Sequence, residues 1–241
     1  MRIPGLLLLA GALAAPGWSQ ELKTRDAVLE KYQQALGGTE AIRKVQSETR
    51  HGEAEGPGVR GKITFVAYAK PFRWLSKVTM PDGGRRTNGF DGKVSWTIGP
   101  KGAEIDRSVP LESVRRDSDL QYALHQPDYF SQLELAGVAD FEGHRCYWLH
   151  GTTRWGKDNN QFYDVQTGLL VGYRFQSDDQ SSTPTIVVFD DYKSFGGPLV
   201  ATRETDRQGA QEQVTRILSV SYEPLSDSLF ALPAAVKGLL P

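Results

Sequence analysis

Cysteine is nearly absent. Cys146 is the single one among 241 residues. An internal disulfide and a cysteine-rich zinc site are both excluded, and with them the small secreted scaffolds that depend on such staples. An excess of charge is also missing. The 28 basic residues stand against 29 acidic ones, which leaves no electrostatic footprint for nucleic acid as a partner. Beyond the N-terminus no long apolar run occurs. Leu6 to Ala15 is such a run, but its length of about ten residues falls short of the roughly 20 that span a bilayer. Repeats, low-complexity tracts and interdomain linkers are absent as well.

What is present begins with an export leader. Arg2 precedes the apolar run and Pro16-Gly17 breaks it. Gly17 and Ser19 are the small residues that a cut after Ser19 requires. A cleaved signal peptide is expected over residues 1–19. No cysteine stands at the cut, so no lipid anchor of the lipoprotein kind is expected. The expected product is a soluble, exported, periplasmic protein, with residues 20–241 as a single domain. Its 10% aromatic content supplies large side chains for a core.

The pattern of that domain is helical first and then alternating. Thr24 is placed to cap a helix in which Val28, Leu29, Tyr32, Ala35 and Leu36 recur at helical spacing. Gly37-Gly38 stops it, and Thr39 is expected to cap a short second helix carrying Ala41, Ile42 and Val45. From about Glu48 the period becomes two. Ile63 to Ala69, Phe72 to Val78 and Val94 to Ile98 read as strands, with a hairpin at Phe90-Asp91-Gly92-Lys93. Leu111 to Leu135 breaks the alternation and reads as a helix, a break at Gln126-Pro127, and a shorter helical turn or loop. Strands resume at 145–150, 162–165, 169–175, 185–192, 199–204 and 214–222. The fold class is therefore α+β, mainly antiparallel β. Such a sheet curls because its strands twist, and the N-terminal and central helices are the elements available to cover its concave face.

Chemistry-bearing residues are few and badly spaced. His144, Cys146 and His150 share strand parity, but the two histidines would lie about 20 Å apart along an extended strand, too far for one metal. Cys146 reads as a small core residue. To act as a nucleophile it would need His51 or His125 to approach it in space. Asp190-Asp191 point to opposite faces of a strand, and Asp178-Asp179 sits in a polar loop with Gln180, Ser181 and Ser182. No serine occupies a nucleophile elbow and no glycine pair forms a phosphate loop. No catalytic residue, metal site or cofactor is expected. The apolar side chains say more. Phe65, Trp74, Trp96, Trp148, Val171 and Tyr173, selected by parity and size, are the candidates to line a concave apolar surface that accepts an apolar ligand. An ordinary filled core is the competing interpretation of the same residues.

Four stretches carry a resemblance. They are Ala35-Leu-Gly-Gly-Thr-Glu-Ala-Ile42, Gly89-Phe-Asp-Gly-Lys-Val-Ser-Trp96, Phe162-Tyr-Asp-Val-Gln-Thr-Gly-Leu-Leu170 and Phe189-Asp-Asp-Tyr-Lys-Ser-Phe-Gly-Gly197, followed by Asp227-Ser-Leu-Phe-Ala-Leu-Pro233. In this order they resemble exported bacterial proteins of the LolA-like type, related to outer-membrane lipoprotein-sorting proteins. The resemblance implies a half-closed antiparallel barrel with helices as a lid. It also implies non-catalytic binding of a lipid or an acylated protein, with membrane-bound loading or accepting proteins as partners. An envelope protein-interaction or stress-sensing module with a filled cavity is the alternative, and an unrecognised hydrolase the third.

Overall fold

A computed structural model describes residues 21–176 and 183–240. The expected signal peptide and the Asp178-Asp179 pair lie outside the described residues. Two helices open the chain, α1 (Arg25–Ala35) and α2 (Thr39–Arg43). The first starts as its sequence dictates, with the Ala27 N–H donating to Thr24 Oγ1 at 3.2 Å. The second does not. Gly38, at φ 91°, holds the capping position, and Thr39 is already the first helical residue.

A first meander follows, of β1 (Glu48–Glu55), β2 (Ile63–Lys70), β3 (Arg73–Thr79), β4 (Arg85–Phe90), β5 (Ser95–Gly99) and β6 (Gly102–Asp106). Then come α3 (Leu111–Asp117), α4 (Tyr122–His125) and a 3-10 turn at Gln126–Tyr129. A second meander runs through β7 (Phe130–Phe141), β8 (His144–Thr153), β9 (Asp158–Asp164), β10 (Leu170–Phe175), β11 (Thr185–Ser194), β12 (Leu199–Gln208) and β13 (Gln211–Ser221). The chain ends with α5 (Ala234–Lys237). The reading of Leu111 to Leu135 as helix and loop throughout is corrected here: residues from Phe130 onward are strand. Two register shifts against β8, at Phe130/Gln132 and Leu135/Gly137, break the period that identifies a strand. β6, a short strand with only Ala103 and Ile105 as apolar residues, also carried no clear signal.

The thirteen described strands form one open antiparallel sheet, in the order β6-β5-β4-β3-β2-β1-β13-β12-β11-β10-β9-β8-β7. The two meanders are joined where β1 pairs with β13, so β6 and β7, adjacent along the chain, are the two edges. The segment that connects them has to travel from one edge to the other. That puts α3, α4 and the 3-10 turn with α1 and α2 over one face of the curved sheet.

Apolar side chains pack on both faces, as alternation along a strand permits. Under the helices, Val28 and Leu29 of α1 meet Phe130, Leu133, Tyr147, Leu149, Tyr163 and Leu170, while Leu36 and Ile42 meet Ala123. On the opposite face, Phe141, Cys146, Phe162, Val171 and Val188 form one cluster. A second cluster there holds Leu75 and Trp96 beneath the C-terminal segment, with Phe230 and Val236. Gly89 serves that second cluster directly: a Cβ there would stand 2.5 Å from Trp96 Cζ2, so the indole needs a bare backbone to lie on.

Candidate functional site

Between the helices and the sheet lies a cavity of about 480 Å³. Its apolar wall comes from Tyr32, Leu36, Ile42 and Val45 above, and from Ala67, Ala69, Trp74, Phe189, Tyr192 and Ile217 below. Small residues on β2 leave the room that Trp74 and the tyrosines border. Tyr173 and Phe189 meet edge to face at 5.5 Å, and Tyr32 meets Tyr163 at 5.2 Å. Tyr192 reaches the wall because Asp191 takes a left-handed φ of 53°; its hydroxyl donates to the Leu170 carbonyl at 2.8 Å. Burial pushes the Tyr32, Tyr122, Tyr163, Tyr173 and Tyr192 hydroxyls far above their ordinary range, so they remain protonated.

The helices are fastened over this space by side-chain amides. Gln121 Nε2 donates to the Arg43 and Val45 carbonyls at 3.0 and 3.2 Å, and Gln33 Nε2 donates to the Ala123 carbonyl at 2.9 Å. From the sheet side, the Leu199 N–H donates to the Leu36 carbonyl at 2.9 Å.

The wall is not wholly apolar. Glu48 and Arg50 of β1 face inward, and Arg50 Nε and Nη2 donate to the Glu48 carboxylate at 2.5 and 3.2 Å. Burial opposes the Arg50 charge, but Glu48 outweighs it and holds the guanidinium protonated. Across β13, Glu204 also lines the cavity. Burial, and then the neighbouring Asp206, push its carboxyl up to about 7, against the pull of Arg50.

The six candidates from the sequence divide. Trp74 and Tyr173 line the cavity. Phe65 shares a face with Ala67 and Ala69 but lies further along β2, outside the lining, with its ring over Gly52. Trp96, Trp148 and Val171 are on the opposite face: Trp96 under Phe230 and Val236, Trp148 and Val171 with Phe162 and Cys146. Parity and size select two faces equally well when both are apolar. Glu48, Arg50 and Glu204 were missed. β1 reads Glu-Thr-Arg-His-Gly-Glu-Ala-Glu, so its inward parity, Glu48-Arg50-Gly52-Ala54, has no apolar pattern against which the charges would stand out.

Residues with catalytic potential are placed otherwise. Cys146 is fully buried, and burial pushes its thiol up to about 12, the opposite of an activated nucleophile. His144 and His150 pair with Asp164 and Asn160 at 3.3 and 3.2 Å. His125 does meet a carboxylate, Asp119 Oδ2, at 2.9 Å. Asp119 also accepts from the Tyr129 hydroxyl at 2.8 Å and from the Gln121 N–H at 3.0 Å, so it ties the turn before α4 together. Among the described residues no three His, Cys, Asp or Glu side chains group to hold a metal ion. None of the described helices is long and apolar enough to cross a membrane.

No family model matches the sequence, and no curated protein matches it. Solved structures do match the fold. A LolA-superfamily protein from Nitrosomonas europaea superposes with a TM-score of 0.60 at 14% identity, covering 88% of this chain and 99% of its own. A DUF1329-family protein from Desulfovibrio piger gives 0.60 at 15% identity, covering 87% and 98%. A domain assigned as an outer membrane lipoprotein-sorting protein, from Vibrio parahaemolyticus, gives 0.56 at 10% identity, covering 84% and 97%. The half-open antiparallel sheet, its helical cover and these superpositions agree: the chain has a LolA-like fold.

Proposed function

We propose that the protein is an exported, periplasmic, non-catalytic carrier or binding protein for a lipid-like ligand, held between the sheet and its helices. One observation carries this reading: the space under the helices is not filled by side chains, and its wall is largely aromatic and aliphatic. An acyl chain has no polar group to satisfy, so a dry apolar wall binds it at about 0.8 kcal/mol per buried CH₂. The leader-like N-terminus supports export, and the domain from Vibrio parahaemolyticus supports lipoproteins as one ligand class. Trp74 and Tyr173 are the sequence-chosen residues for which ligand contact is proposed.

Native mass spectrometry of gently purified protein tests this, followed by solvent extraction. A lipid-sized adduct that leaves on extraction is expected. Ala67→Trp fills the cavity and is expected to abolish uptake of a fluorescent monoacylglycerol probe while the circular dichroism spectrum is kept. A bare mass together with no probe uptake by the parent protein overturns the reading. A second reading, a protein-interaction module, is favoured by one feature: β7 is a twelve-residue sheet edge with an exposed Val138, a surface open to strand addition.

A further inference from the structure

A second cavity, of about 340 Å³, adjoins the first. The two share Arg50, Asp117, Asp119, Tyr122, Tyr173 and Phe189 as lining residues. They are therefore two limbs of one space, each within the roughly 300–1,000 Å³ of small-molecule sites. The first limb is mainly apolar. The second adds Arg116 and, from β9, Asn159.

Asn159 is only 6% exposed, and its Oδ1 has no hydrogen-bond partner. Buried polar atoms are nearly always satisfied, and an exception calls for a cause. Asn159, Gln161 and Tyr163 alternate along β9 toward the helices. Gln161 and Tyr163 are engaged with Gln126 of the 3-10 turn. Gln161 Nε2 is also unpartnered, but Gln161 is fully buried and borders neither limb. Asn159 is thus the unsatisfied group that borders the open space, and a carbonyl oxygen is satisfied only by a donor.

The charges around it disfavour an anionic head group. Arg50 is committed to Glu48. Arg116 donates to Asp117 at 2.8 Å. Asp119 adds a further carboxyl that borders both limbs. Each guanidinium already bonds a carboxylate, and with Asp119 the carboxylates of the two limbs outnumber the guanidiniums, so an anionic head group meets net negative charge; a carboxylate or a simple phosphate diester also has no proton for Asn159.

We propose that the joined cavities bind an amphiphile whose head group donates hydrogen bonds and carries no negative charge, such as a hydroxyl, an amide or an ammonium, with Asn159 as its acceptor. The proposal rests on the carrier reading above and adds the class of head group. The chain occupies the apolar limb and the head group the limb bordered by Asn159.

Calorimetric titration of the mature protein with four ligands of one chain length tests it: monolauroylglycerol, dodecylamine, laurate and dodecyl methyl phosphate. The first two are expected to bind at least about tenfold tighter than the last two at neutral pH. Asn159→Leu is expected to bring monolauroylglycerol and laurate to about equal affinity. Asn159→Asp keeps the shape and the acceptor, and is expected to widen the gap between dodecylamine and laurate should the leucine variant not fold. Equal or tighter binding of laurate or the phosphate diester by the parent protein overturns the proposal, as does an unchanged ratio in both variants. Failure of all four ligands and of the monoacylglycerol probe overturns the carrier reading itself.

Discussion

At the residue scale, the feature with the clearest measurable consequence is a carboxyl in the wall of a largely apolar space. Glu204 is inward-facing and shares a hydrogen bond with Asp206, with Arg50 across β13 and Asp117 from the helical side as the other charges felt there. Its folded pKa of about 7 lies above the ordinary carboxyl range of the unfolded chain. The folded state therefore holds a proton that the unfolded state has released. Stability is greatest below about pH 4.5 as far as this group is concerned, and is lost as pH rises through about 7. Glu204→Gln removes the effect. We expect the parent Tm to fall by about 5–10 °C from pH 5 to pH 8: a carboxyl raised from about 4.5 to about 7 costs about 2.5 kcal/mol over that window, and about 1 kcal/mol moves a domain of this size by 2–4 °C. The variant is expected to fall less over that window, burial still raising Asp206, and to be more stable at pH 8. Equal slopes for the two proteins would remove Glu204 as the cause. The residue scale is also where the sequence is least legible. Tyr147 and Leu149 face the helices, while Cys146 and Trp148 face away. Both sets are apolar, so parity separates them without saying which set meets the ligand. The charged residues break that symmetry, since Glu48 and Arg50 are costly inside a filled core and tolerable beside a cavity.

At the element scale, legibility follows how strictly each element keeps its period. The first helix has apolar residues at helical spacing and a capping threonine, and both survive in the structure. β7 loses its period at two register shifts, one of them beside Gly137 at φ 147°, and a strand with two bulges no longer alternates. The helical cover has a consequence of its own. Its packing against α1 and α2 joins the apolar cluster of Leu36, Ile42 and Ala123 to three side-chain amide bonds, from Gln33 and Gln121. At a net value of about 1 kcal/mol for each bond, these amides hold the cover closed more than they hold the protein folded. The double variant Gln33→Ala with Gln121→Ala is expected to raise the off-rate of a bound monoacylglycerol probe about tenfold or more, because the open state is more populated. Its Tm is expected to stay within a few degrees of the parent's. Stopped-flow displacement reads the rate, and an unchanged rate in the folded variant would show that release does not pass through movement of α4.

At the scale of the whole molecule, strand order decides how the site is held, and periodicity carries no information about it. The sequence implies a run of strands that curls, but not that β1 and β13 join the two meanders. That pairing puts the cavity over the seam. Glu48 and Arg50 stand on one side of it, Ile217 and Glu204 on the other. Gly52 lies in the seam, at a register shift. A Cβ there would stand 2.4 Å from Phe65 Cζ and 2.6 Å from the Arg216 carbonyl oxygen. The phenyl ring can rotate away, but a backbone carbonyl in a neighbouring strand moves only with its strand. Gly52→Val should therefore push β13 off β1 and leave each meander with its own internal pairing. The parent protein is expected to unfold in urea in one transition, followed alike by tryptophan fluorescence, with Trp74 and Trp96 in the first meander and Trp148 and Trp155 in the second. The variant is expected to unfold in two, with fast amide exchange confined at first to β1 and β13. Its probe binding is expected to disappear with the first transition, because a cavity built across the seam cannot outlast it. A single transition at unchanged midpoint, with β1 and β13 still protected, would show that the meanders are held together by the helical cover instead.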